Sequence, residues 1–132
     1  GICNGGPTMK EVTVLVKKKS PYQVSLYLGS VNEETKELFF IEDLYYEIGK
    51  LQDSRKKLIP VRVADTTFVC GTNYVEAGWE ISAINYPKIP SSPREIDSLM
   101  EDLAAHLLKT FKQKTITIIS PRKTIMYQRN EG

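Results

Sequence analysis

Four consecutive residues constrain this chain more than any others. Ser92-Pro93-Arg94-Glu95 sets a hydroxyl at the N-cap, a proline at the first helical position and a glutamate at the third, the pattern of a capping box. Downstream, Ile96, Leu99, Met100, Leu103, Leu107 and Phe111 fall on one stripe. Asp97, Glu101 and Asp102 come early and Lys109, Lys112 and Lys114 late, the order that complements a helix dipole. An amphipathic helix from about residue 93 to 112 is therefore required, and its stripe needs a sheet or another helix to lie on.

The flanking segments read as strands. Val24, Leu26 and Leu28 alternate with polar partners. Val61 and Val63 begin a run that is broken near Asp65 and resumes through Cys70, and Trp79, Ile81 and Ala83 share one parity before Pro87 ends the strand. Residues 115–119 are β-branched throughout, and residues 124–127 follow a Ser120-Pro121 turn. Residues 12–16, Val-Thr-Val-Leu-Val, predict a strand pairing in a hairpin with residues 24–28. Residues 37–52 suit a helix, with a short strand followed by a short helix as the alternative. The order becomes ββ-α-β-β-α-β(β). Its economical solution is an α+β two-layer sandwich, ferredoxin-like, with two helices on one face of an antiparallel sheet.

At 132 residues the chain is long enough for one core and short for two domains. Residues 1–8, with three glycines and a proline, read as a disordered leader, and residues 9–132 as a single α+β domain. No apolar run approaches the roughly 20 residues of a membrane span. If Cys3 belongs to that leader, Cys70 stands alone, which favours a reducing, cytoplasmic location. Net charge is +2, but residues 1–32 sum to +3, residues 33–108 to −6 and residues 109–132 to +5. A positive face would form if the two basic ends met.

Chemistry is sparsely signalled. No glycine-rich phosphate loop and no His/Cys ligand cluster is present, so neither a cofactor nor a metal is expected. His106, four residues after Asp102, reads as its i,i+4 partner, and Cys70 as a buried, inert thiol. The segment between Gly71 and Gly78 reads as a loop, and with the residue after Gly78 it supplies the ligand-binding candidates: Asn73 and Glu76 to fix a polar ligand, Tyr74 or Trp79 as a flat wall. The competing reading is turn geometry with Trp79 packed in the core.

Because strands such as residues 12–16 are apolar on both parities, the sheet's second face also needs cover. The expected function is thus a small non-enzymatic binding or assembly protein, homodimeric through its sheet, with a small-molecule ligand possible. One alternative is an isomerase or hydrolase drawing acid and base from Asp65, Glu76, Glu80 or His106. The other is a nucleic-acid binder. It would stack bases on Tyr22, Tyr27 and Tyr127, with phosphates held by Lys17, Lys18 and Lys19, by Arg55, Lys56 and Lys57, and by the basic residues near the C-terminus.

Overall fold

A computed structural model describes residues 12–130. The elements are β1 (Gln23–Gly29), α1 (Ile41–Asp53), β2 (Arg62–Val69), β3 (Val75–Ile84), α2 (Pro93–Thr110), β4 (Thr115–Ile119) and β5 (Thr124–Gln128). They form one five-stranded sheet in the order β2-β3-β1-β4-β5, with every neighbouring pair antiparallel. The first four strands and two helices make the ferredoxin-like α+β arrangement, and β5 extends it by a hairpin from β4. Among the described residues no helix is long and apolar enough to cross a membrane.

Register decides which face each side chain takes. Leu26 lies opposite Ile81 and Ile118, and Leu28 opposite Trp79, so Val24, Leu26, Leu28, Trp79, Ile81, Ala83, Ile116 and Ile118 share the helix side and are buried. The α2 helix begins as its sequence dictates. Ser92 accepts from the Glu95 amide at 3.1 Å while the Glu95 carboxylate accepts from the Ser92 amide at 2.9 Å. Its stripe of Ile96, Leu99, Met100, Leu103, Leu107 and Phe111 is fully enclosed against the sheet. Each such side chain stabilises the fold by about 1.5–3 kcal/mol.

The end of α2 is set by a residue other than glycine. Lys112 takes φ 49, its amide donates to the Lys109 carbonyl, and the Gln113 amide reaches back to the Leu108 carbonyl at 3.2 Å. This is a Schellman closure, and it turns Gln113 inward at the start of β4.

Several expectations are corrected. Residues 12–16 form no strand, and Val12, Val14, Leu15 and Val16 stand exposed. The first hairpin is absent because β1 already has β3 on one side and β4 on the other. The open face of the sheet mixes Gln23, Ser25, Tyr27, Glu80, Ser82, Thr115 and Thr117 with Phe68, Ile84, Ile119 and Met126, and the apolar run of residues 12–16 is not part of it. The α1 helix starts only at Ile41. Ahead of it, Leu38 makes a single bridge to Val31 in place of a strand. The break expected near Asp65 is missing, since β2 pairs with β3 without interruption. The expected loop between Gly71 and Gly78 shrinks because β3 already begins at Val75. Cys70 is exposed, not buried. The leader, residues 1–8, lies outside the described residues.

Candidate active site on the open face of the sheet

Two glycines create the space. Gly29 ends β1 directly opposite Gly78 in β3. A Cβ on Gly78 would come within 2.4 Å of the Leu28 carbonyl oxygen and 2.6 Å of the Phe68 ring. The bare backbone therefore lets Phe68, reaching from β2, lie across β3. There its ring meets Tyr27 edge to face at 6.3 Å. A Cβ on Gly29 would stand 2.8 Å from Gln113 Oε1 and 3.0 Å from Glu76 Oε1. Two acceptor oxygens, one from β3 and one from the turn between α2 and β4, thus converge over one glycine.

The resulting cleft, about 320 Å³, is lined by Tyr27, Gly29, Phe68, Tyr74, Glu76 and Gln113, with Glu33 and Lys114 at its edge. Gln113 is buried, and its amide group donates to the Val31 carbonyl at 2.7 Å and the Phe111 carbonyl at 2.9 Å. With both N–H groups engaged, Oε1 is held as an acceptor toward the space above Gly29. Glu33 sits in a loop clamped by its own amide to the Lys112 carbonyl and by an Asx turn, in which Asn32 Oδ1 accepts from the Glu34 and Thr35 amides. Tyr74 donates to Glu76 Oε2 at 2.6 Å. That bond, with burial and the charge of Glu76, pushes the phenol up to about 12. At neutral pH Tyr74 is a donor and no base. Tyr27 is also raised, by its hydrogen bond to Glu80 and by burial. Of the cleft's two carboxylates Glu33 is paired with Lys36 at 3.2 Å, so its acceptors are the oxygens of Glu76 and Gln113, with Lys114 also lining it.

The candidates from sequence separate accordingly. Tyr74 and Glu76 reach the cleft, while Asn73 sits in the adjoining turn and is not among its lining residues. Trp79 is corrected as a ligand wall: it packs in the core on the helix side, because its parity is that of Ile81 and Ala83. The acid–base set does not converge. Glu80 shares the face of Glu76 but lies four residues along the strand, roughly 13 Å away. Asp65 has the parity of the helix side. His106 joins the two helices through Nε2 and Glu47 Oε1 at 2.8 Å, while its expected partner Asp102 takes Arg55 at 2.7 Å. The three tyrosines proposed as a stacking platform split as well. Tyr22 bonds Asp97 at 2.7 Å, Tyr127 pairs opposite Ile116 on the helix side, and only Tyr27 is on the open face. A larger groove, about 480 Å³, lies between Arg55, Lys57 and the start of α2; Lys57 is paired with Glu95 at 2.8 Å and Arg55 with Asp102 at 2.7 Å, while Lys56 and Arg94 leave it basic.

Gly29, Glu33, Phe68 and Gln113 were not recognisable as site residues from sequence, and Tyr27 was singled out only as a base-stacking residue. Gly78, read from sequence as the end of a loop, lies inside β3, where a glycine marks a close approach.

No protein-family model and no curated protein sequence matches the chain. Among solved structures, a phage SAM lyase in its apo state shares the fold with TM-score 0.69 at 14% identity, covering 89% of this chain and 97% of that one. A phage SAM lyase in complex with S-methyl-5'-thioadenosine aligns with TM-score 0.65 at 10% identity, over the same shares of both chains. At these identities the likeness shows the fold. Against the expectation of a non-enzymatic binding or assembly protein, both of these structural neighbours are of an enzyme. That expectation rested on a lack of catalytic groupings along the chain, whereas Glu76 and Gln113 are brought together only across the sheet.

Proposed function

We propose that this chain is a lyase acting on S-adenosylmethionine or a closely related sulfonium nucleoside, with the open-face cleft as its active site. The observation that carries the reading is the convergence of Glu76 and Gln113 oxygens over Gly29, beside the Tyr27–Phe68 aromatic pair. Such a substrate is a flat base joined to two positive centres, a sulfonium and an ammonium. Aromatic faces suit the base and attract the sulfonium through the ring quadrupole. Glu76 and Gln113 supply acceptors for the ammonium, and Lys114 offers a partner for the substrate carboxylate.

Breaking the carbon–sulfur bond sends its electron pair to sulfur and turns a charged sulfonium into a neutral thioether, while an oxygen of the substrate's own carboxylate bonds the carbon that sulfur leaves and closes a lactone. An aromatic wall that excludes water favours that loss of charge, while the Glu76 carboxylate holds the cation for the step. Tyr74 stays protonated and fixes the Glu76 carboxylate by donating to it. We assign the activity to the cytoplasm, where an exposed free thiol such as Cys70 persists.

The test is incubation of the purified chain with S-adenosylmethionine and mass spectrometric detection of S-methyl-5'-thioadenosine. Product from the wild type and its loss in Glu76→Gln support the reading. No product above the no-protein control, from a folded wild type, overturns it.

A further inference from the structure

The basic groove between the end of α1 and the start of α2 takes no part in the reading above. It holds about 480 Å³, within the roughly 300–1,000 Å³ of small-molecule pockets. Its walls are fixed from both ends. The Ser54 and Arg55 amides close α1 on the Leu51 and Gln52 carbonyls, and Gln52 Nε2 donates to the Ile59 carbonyl at 3.0 Å. Ile59 lines the groove and is itself buried, which gives the groove an apolar base.

Four cations surround this space, Arg55, Lys56 and Lys57 from the loop after α1 and Arg94 from the first turn of α2, against the single carboxylate of Glu95. Two of them are held in place. Arg55 donates to Asp102 Oδ2 at 2.7 Å and to Ser98 Oγ at 3.0 Å, which engages two of its five N–H groups. Lys57 reaches the Pro90 carbonyl at 3.0 Å and Glu95 Oε2 at 2.8 Å. Lys56 and Arg94 are exposed and make no ion pair among the described residues. Like charges gathered round a concavity focus a positive potential into it, and an anion rich in acceptor oxygens relieves their repulsion.

The surroundings limit the size of that anion. Arg94 and Ser98 also border a neighbouring hollow, where the charge reverses: Asp97, Glu101 and Asp102 face Arg94 and Arg122. On the α1 side Asp53 directly precedes Ser54. A long polyanion laid along α2 would run onto these carboxylates, whereas a compact one stays among the cations. Two or three linked phosphates concentrate about three or four negative charges in one small group. Guanidinium and ammonium groups both pair with phosphate oxygens.

We propose that this groove binds a compact ligand bearing a di- or triphosphate group, with Lys56 and Arg94 as its direct partners and Arg55 as a third, already positioned. It shares no lining residue with the cleft on the sheet.

Amide chemical-shift titration with inorganic triphosphate tests it, on the wild type and on the double variant Lys56→Ala/Arg94→Ala. Citrate at matched ionic strength serves as the multivalent anion without phosphate. Both side chains are exposed, so the variant should keep the wild-type circular dichroism. The expected result is saturable shifts at Ser54, Arg55, Lys56, Arg94 and Ser98, with Kd at least about tenfold weaker for the variant and for citrate. Citrate that binds as tightly as triphosphate, a variant that binds like the wild type, or no saturable shift would each overturn the proposal. So would shifts that extend over Lys17, Lys18, Lys19 and Lys123, the mark of an extended polyanion surface. Formation of S-methyl-5'-thioadenosine is read separately, so neither reading falls with the other.

Discussion

Gly29→Ala is the change in which structure and function come apart most cleanly. The added methyl would stand 2.8 Å from Gln113 Oε1 and 3.0 Å from Glu76 Oε1, whereas ordinary contact begins near 3.4 Å. Gly29 does not have a positive φ, so alanine fits the backbone and recovers about 0.5–1 kcal/mol of strand entropy. Gln113 cannot retreat without loosening its bonds to Val31 or Phe111, each worth about 0.5–1.5 kcal/mol net. These two effects nearly cancel in stability. At about 4 °C per kcal/mol, the melting temperature should move by only a few degrees. Binding has no such offset. Displacing the carboxylate from a ligand cation costs about 1.5–3 kcal/mol, a roughly tenfold to hundredfold weaker Kd. Calorimetric titration with S-adenosylmethionine, alongside a thermal melt, reads both quantities. A folded variant that binds as tightly as the wild type would refute the role given to the space over Gly29, and so would a collapse in melting temperature by tens of degrees.

Tyr74→Phe removes the donor that fixes Glu76, and it should lower kcat/KM roughly tenfold or more, with the highest tyrosine ionisation lost from a spectrophotometric titration. Leu103→Ala empties a fully enclosed site under α2 and should cost about 2–5 kcal/mol in urea unfolding. Burial would raise the Glu47 carboxyl, but His106 and Lys50 outweigh it and hold it below its ordinary value. A depressed carboxylate stabilises above its unfolded pKa, about 4.3, and that contribution is lost as pH falls through the lower folded value. Unfolding curves from pH 6 down to pH 2 should therefore show a loss that His106→Gln makes smaller.

How much of this was legible depends on where the information lies along the chain. The cap of α2, its stripe and its charge order are contiguous, and the helix appears where they require it. Parity within one strand also survives: Trp79 shares a face with Ile81 and Ala83, and that parity, rather than the role of a ligand wall, decides its place in the core. Residues 12–16 show the limit. β-branched composition marks a segment that fits a sheet, but a strand also needs a free neighbour, and β1 has none to offer. The cleft was only half visible for a related reason. Tyr74 and Glu76 stand together in sequence, but Gly29, Phe68 and Gln113 meet them through the β1–β3 and β2–β3 registers and the Lys112 turn. No local pattern reports a register between strands fifty residues apart.

The account stands or falls on the cleft over Gly29 and Gly78 being where the nucleoside binds. Amide chemical-shift mapping during titration with S-methyl-5'-thioadenosine asks that directly. The expected outcome is saturable shifts centred on Tyr27, Gly29, Phe68, Glu76 and Gln113, lost in Glu76→Gln or Gly29→Ala. Shifts centred instead on the groove beside Arg55 and Arg94, or none at saturating ligand, would contradict it.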